Sequence, residues 1–174
     1  MAGISIASSC SVSSSRYAAE PSVNPASIVQ INRHLEIPSR KARVYIQNGV
    51  ETTLRNIDKF STYCSVLMQN VHSRGEPLLT VSPGRFEIIK VRKSNDSLYF
   101  PGSFFISRGW TDDFPRVVIF EVEMRLKSAE QPGVRALFCA KHATVYGPLF
   151  PTRLYPTLAE IRIALGDAIE IETP

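Results

Sequence analysis

The chain has 174 residues, 44% of them apolar and 21% charged, with a net charge of +4. That length suits one domain whose core stands without a metal or disulfide framework, and the composition excludes a wholly disordered chain. No run of about 18 apolar residues is present to span a bilayer.

In chain order, the first forty residues differ from the rest. Residues 1–17 mix serines with short aliphatics, and Glu20 to Pro25 adds two prolines without periodicity. Such a composition buries too little apolar area to offset its ordering entropy. Residues 1–40 therefore read as a flexible Ser/Pro-rich arm, and 41–174 as a single globular domain. Within the arm, Ile28, Ile31, Leu35 and Ile37 form a sticky aliphatic segment, 28–37, suited to self-association by docking on a neighbouring copy. Lys41 to Gln47 reads as a strand closed by the turn signal Asn48-Gly49. From Thr52 the period turns helical: Leu54, Ile57, Phe60, Cys64, Leu67 and Val71 recur at steps of three and four, with Gly75 and Pro77 to stop the helix.

Strands follow. Arg85 to Lys93 alternates with one slip, the pattern of a β-bulge. Val117 to Lys127 is the clearest strand, with Val118, Phe120, Val122, Met124 and Leu126 on one face and Glu121, Glu123, Arg125 and Lys127 on the other. Residues 128–133 make a hairpin loop, and Val134 to Val145 returns. Thr157 with Glu160 three residues later is a capping box; Leu158, Ile161 and Leu165 supply the helix's buried side, Gly166 ends it, and 168–172 adds an edge strand. The expected fold class is α+β: an antiparallel sheet packed with one long and one short helix, preceded by a disordered N-terminal arm.

Nothing in the residues suggests a catalyst. Cys10, Cys64 and Cys139 are odd in number and widely spaced, so they read as free thiols in a reducing compartment. His34, His72 and His142 lie in separate elements, and Cys139 and His142, three apart on a strand, face opposite ways. Asp112-Asp113 lacks further oxygen ligands for a hard cation. The expectation is a protein that is not an enzyme, with no catalytic residue, no cofactor and no metal site. Trp110, the single tryptophan, is a candidate partner anchor. The positive charge is concentrated in 41–93, nine basic against four acidic residues, an excess of +5. There Lys41, Arg43, Arg85, Lys90, Arg92 and Lys93 suit one basic face for phosphate, on RNA or on acidic lipid headgroups. A basic body with a mildly acidic C-terminal part also suits head-to-tail contacts that build an open array.

This order of elements resembles the rhabdovirus matrix proteins, and in length the short plant-infecting kind from cytorhabdoviruses. Two stretches carry the resemblance by pattern: the helix 52–74 with the strand 85–93, and Tyr99-Phe100-Pro101 through Phe114-Pro115-Arg116 with the strand 117–127. The resemblance implies a non-enzymatic structural protein of the virion that self-associates, condenses the helical nucleocapsid and links it to the inner face of the envelope. Its implied partners are further copies of itself, the nucleoprotein and nucleocapsid, acidic membrane lipids and the glycoprotein's cytoplasmic tail. Its implied location is the host cytoplasm and the virion, peripheral at the inner membrane face. The chain departs from the family's animal-virus members in lacking a lysine-rich N-terminus, since only Arg16 is basic before Arg33. The alternatives are a plant-virus coat protein of an isometric shell and a small viral host-interaction factor, for movement or silencing suppression.

Overall fold

Apolar residues at every second position dominate the part of the chain that a computed structural model describes, residues 23–69, 79–98, 116–146 and 154–174, and the fold is built of strands accordingly. In chain order these are β1 (Ile28–Ile31), β2 (Leu35–Ile37), β3 (Arg43–Gln47), β4 (Val50–Thr52), β5 (Tyr63–Met68), β6 (Leu79–Val81), β7 (Gly84–Leu98), β8 (Arg116–Lys127) and β9 (Val134–Val145). The helix α1 (Leu158–Leu165) and β10 (Ile169–Glu172) complete the order. Eight strands form one curled, half-barrel antiparallel sheet in the order β10-β1-β7-β8-β9-β5-β3-β4, while β2 and β6 pair as a separate ribbon. On the inner face, Phe86, Ile88, Met124 and Leu137 of the sheet pack with Leu35 and Ile37 of the ribbon and Ile161 and Leu165 of α1, all within 1% of complete burial.

The fold is therefore mostly antiparallel β with a single short helix among the described residues, and the expected α+β class with a long helix is corrected. Residues 53–62 form a loop and 63–68 form β5, where helical spacing predicted one stripe. Of that stripe, Cys64 is fully buried, but Leu54 and Phe60 are 51% and 60% exposed. Pairing of β5 with β3 on one side and β9 on the other satisfies its backbone twice over, and this long-range gain outweighs a local period of three and four. Val71, Gly75 and Pro77 lie outside the described residues.

A second correction concerns the arm. Residues 1–22 lie outside the described part, but Ile28–Ile31 is β1, paired between β7 and β10. Ile31, Leu35 and Ile37 have no exposed surface, so these aliphatics fill the chain's own core and are not a surface for a neighbour. The third concerns the cysteines. Cys64 and Cys139 are directly opposed on β5 and β9, their Cα atoms 4.0 Å apart, and are joined as a disulfide. The free-thiol reading fails for this pair, and the argument for a reducing compartment goes with it. Cys10 lies outside the described residues.

Other elements stand as the patterns predict. Asn48 and Gly49 take φ of 53° and 76° and close the β3–β4 hairpin in two residues. Thr157 caps α1, with Thr157 and Glu160 forming both bonds of the capping box, and β10 is an edge strand.

Candidate functional site on the outer face of the sheet

The feature that shapes the site is the bulge in β7. Its register against β8 shifts between Ile88 and Lys90, leaving Ile89 as the extra residue. Without that shift, parity would put Arg85 and Glu87 on one face and Lys90 and Arg92 on the other. The bulge instead brings Lys90 and Arg92 onto the outer face and turns Lys93 to the inner side. There Lys93 pairs in register with the buried Val122, and its Nζ lies 5.7 Å from the centre of the Tyr155 ring.

On the outer face, register aligns side chains in transverse rows. One row runs Lys90 (β7), Arg125 (β8), Ala136 (β9), Leu67 (β5), Arg43 (β3). Its ends are four strand spacings apart, about 19 Å. The next row runs Arg92, Glu123, Phe138, Ser65, Tyr45, Thr52, and a third runs Ser94, Glu121, Ala140, Tyr63. Lys90 directly opposite Arg125 is a like-charge pair, worth roughly 0.2–1 kcal/mol against the folded chain. The Arg125 Nε donates to Glu123 Oε1 at 3.0 Å, and the Arg43 guanidinium lies 4.5 Å from the centre of the Phe138 ring. Lys90 and Arg92 are exposed and make no ion pair among the described residues.

The carboxylate at the centre of this face is unlike its neighbours. Burial pushes the Glu121 carboxyl above its usual value; Arg43 opposes the shift, Glu123 adds to it, and a hydrogen bond with Ser94 opposes it. Burial likewise raises the Tyr63 hydroxyl, with Tyr45 and Glu121 reinforcing and Arg43 opposing. His142, on the same face, is 7% exposed beside the rings of Phe60 and Tyr63; burial and then Lys59 lower its pKa.

The structure thus places Arg43, Arg85, Lys90 and Arg92 of the expected basic patch on one face and Lys93 on the other. Lys93 faces inward, and Lys41 sits in the turn before β3, its backbone N–H donating to the Pro38 carbonyl at 3.0 Å. Arg85 is committed to Glu172 at 2.8 Å. Ile28 is partly buried between Glu87 and Glu172, while Ile31, Leu35 and Ile37 are core. Cys139 faces inward and His142 outward, as strand parity requires. Trp110, Asp112, Asp113 and His72 lie outside the described residues. Tyr45, Tyr63 and Phe138 join the face without having been expected there, as neighbours of Glu121 and Arg125, which alternation alone had put on the polar side of their strand. Each obeys alternation in its own strand, but only the register of four strands unites them. Among the described residues no group of three His, Cys, Asp or Glu is placed to hold a metal ion.

No protein-family model matches the chain, and neither a curated protein nor a solved structure is significantly similar to it.

Proposed function

We propose that the protein is a non-enzymatic structural protein that works through its surfaces, as a viral matrix protein does, self-associating and linking a nucleocapsid to the inner face of an envelope. The outer face of its sheet holds the phosphate-bearing partner. The observation that supports this most is the row Lys90, Arg125, Arg43, with Arg92 beside it. Opposed cations cost stability in the free chain, and a line of phosphates relieves that cost. Of the stretches on which the matrix resemblance rested, 85–93 and 117–127 fall in β7 and β8, the expected helix is replaced by a loop and β5, and 99–115 lies outside the described residues.

Charge reversal tests the reading. K90E/R92E, at two exposed positions, is expected to weaken binding of a single-stranded RNA probe by at least about tenfold while leaving the melting temperature within a few degrees. Unchanged affinity overturns it. The eight strands of one sheet favour a second reading, the coat protein of an isometric shell, although one curled sheet is not a sandwich of two facing ones. Electron microscopy of protein dialysed from high to low salt separates them, with filaments or sheets for a matrix protein and closed shells for a coat protein.

A further inference from the structure

We infer that the loop between β4 and β5, residues 53–62, is a docking element for an anionic lipid bilayer. This loop is fixed, not slack. The Gln47 side chain clamps it from the sheet, its Nε2 donating to the Asp58 carbonyl at 2.8 Å and its Oε1 accepting from the Asp58 N–H at 3.0 Å. The His142 N–H donates to the Lys59 carbonyl at 2.7 Å, and Ile57 is buried beneath the loop. The one carboxylate of the loop, Asp58, is exposed and held ionised by the Ser61 hydroxyl at 2.6 Å and the Phe60 N–H at 3.1 Å, and Arg55 and Lys59 together outweigh its charge by one.

Around Asp58 the clamped loop presents apolar and cationic side chains outward. Leu54 is 51% exposed and Phe60 60%, and Val50 on the adjoining hairpin is 63% exposed. Arg55 and Lys59, interleaved with them, are exposed and make no ion pair among the described residues. These side chains project from a rigid support. Projecting apolar groups beside unpaired cations match the headgroup boundary of an anionic bilayer, where the apolar groups enter the acyl edge and the cations meet phosphate and carboxylate. The clamp means that little ordering entropy is lost on docking. The inference rests on the envelope link of the proposed function and places its lipid contact away from Lys90 and Arg92, so that the expected loss of RNA binding by K90E/R92E and the expected loss of flotation by the loop variants fail separately.

The test is flotation with phosphatidylcholine vesicles, with and without phosphatidylserine. The wild-type chain is expected to float only with phosphatidylserine present. L54S/F60S and R55E/K59E should each lower the bound fraction by at least about tenfold, as expected for loss of apolar burial or of headgroup attraction. K90E/R92E should lose less flotation than either loop variant, and L54S/F60S should keep its RNA affinity, which also shows that it is folded. As a second readout, F60W should gain fluorescence quenching by brominated lipid beyond that of the wild-type chain. Flotation unaffected by the loop variants, flotation lost only in K90E/R92E, full flotation without phosphatidylserine, or no flotation of the wild type would each overturn the inference.

Discussion

Glu121 shows how a single residue ties the chemistry of the face to the stability of the fold. Its carboxyl titrates above the usual value because burial penalises the charged form. The stabilising effect of a proton there is fully present below the ordinary carboxyl pKa of 4.5 and is lost as pH rises through the raised folded value. Glu121→Gln, which mimics the protonated form, is therefore expected to raise the melting temperature at pH 7, and the gain should vanish below pH 4.5. Melting curves across that range check it; an equal gain at every pH would show that the cause is not titration. His142 acts with the opposite slope: its lowered pKa gives stability above 6.5 that is lost as pH falls through the folded value. At the same scale, the disulfide predicts one free thiol per chain out of three when the unreduced protein is denatured and titrated with a thiol reagent. Three free thiols would contradict it. Alternation alone places Cys139 and His142 on opposite faces. The partner of Cys139 was not legible, because pairing across a separation of 75 residues is a property of register.

Elements were legible where local pattern and tertiary need agree. The strand β8 alternates without a fault, so its buried and exposed sets follow from the sequence. The helix α1 announces itself by its cap, and Glu160 serves twice. Burial alone would raise its carboxyl, but the hydrogen bond from Lys141 Nζ at 2.6 Å and those at Thr157 outweigh burial and lower it. The segment 52–71 failed because its apolar spacing fits two structures, and the choice between them belongs to β3 and β9, which local periodicity does not see. The segment 28–37 failed for a related reason: four aliphatics in a polar stretch look adhesive, and the surface they adhere to is their own sheet. Where elements meet, the turn after α1 lies against the β3–β4 turn so closely that a Cβ on Gly166 would sit 2.6 Å from the Gly49 Cα, and Gly166 itself has φ of 57°. Gly166→Ala should therefore cost at least about 1–3 kcal/mol in urea unfolding, from backbone clash and a left-handed conformation together. A loss below about 0.5 kcal/mol would mean that the two turns part easily. The exposed edge at β10 is blunted by Arg162, which donates to the Ile171 carbonyl at 2.8 Å, while β4 at the other edge has only three residues. Both devices discourage edge-to-edge growth of the sheet.

At the scale of the whole molecule, the two faces of the sheet differ among the described residues. The inner face is closed by α1 and the β2–β6 ribbon; the outer face carries the ordered cations, with the loop 53–62 clamped at the β3–β4 end. Net charge pointed toward anionic partners, and the excess over residues 41–93 localised it roughly. The bulge at Ile89 decided which of those cations share a face, splitting Lys93 from Lys90 and Arg92. The proposed function depends on these outer cations meeting phosphate directly. The measurement that tests this most directly is the salt dependence of single-stranded RNA binding by the wild-type chain and K90E/R92E. If both residues neutralise phosphates, the slope of log K against log salt becomes shallower by about 1.4 in the variant, roughly 0.7 for each phosphate no longer neutralised. An unchanged slope, whatever the affinity, would contradict direct phosphate binding by this face.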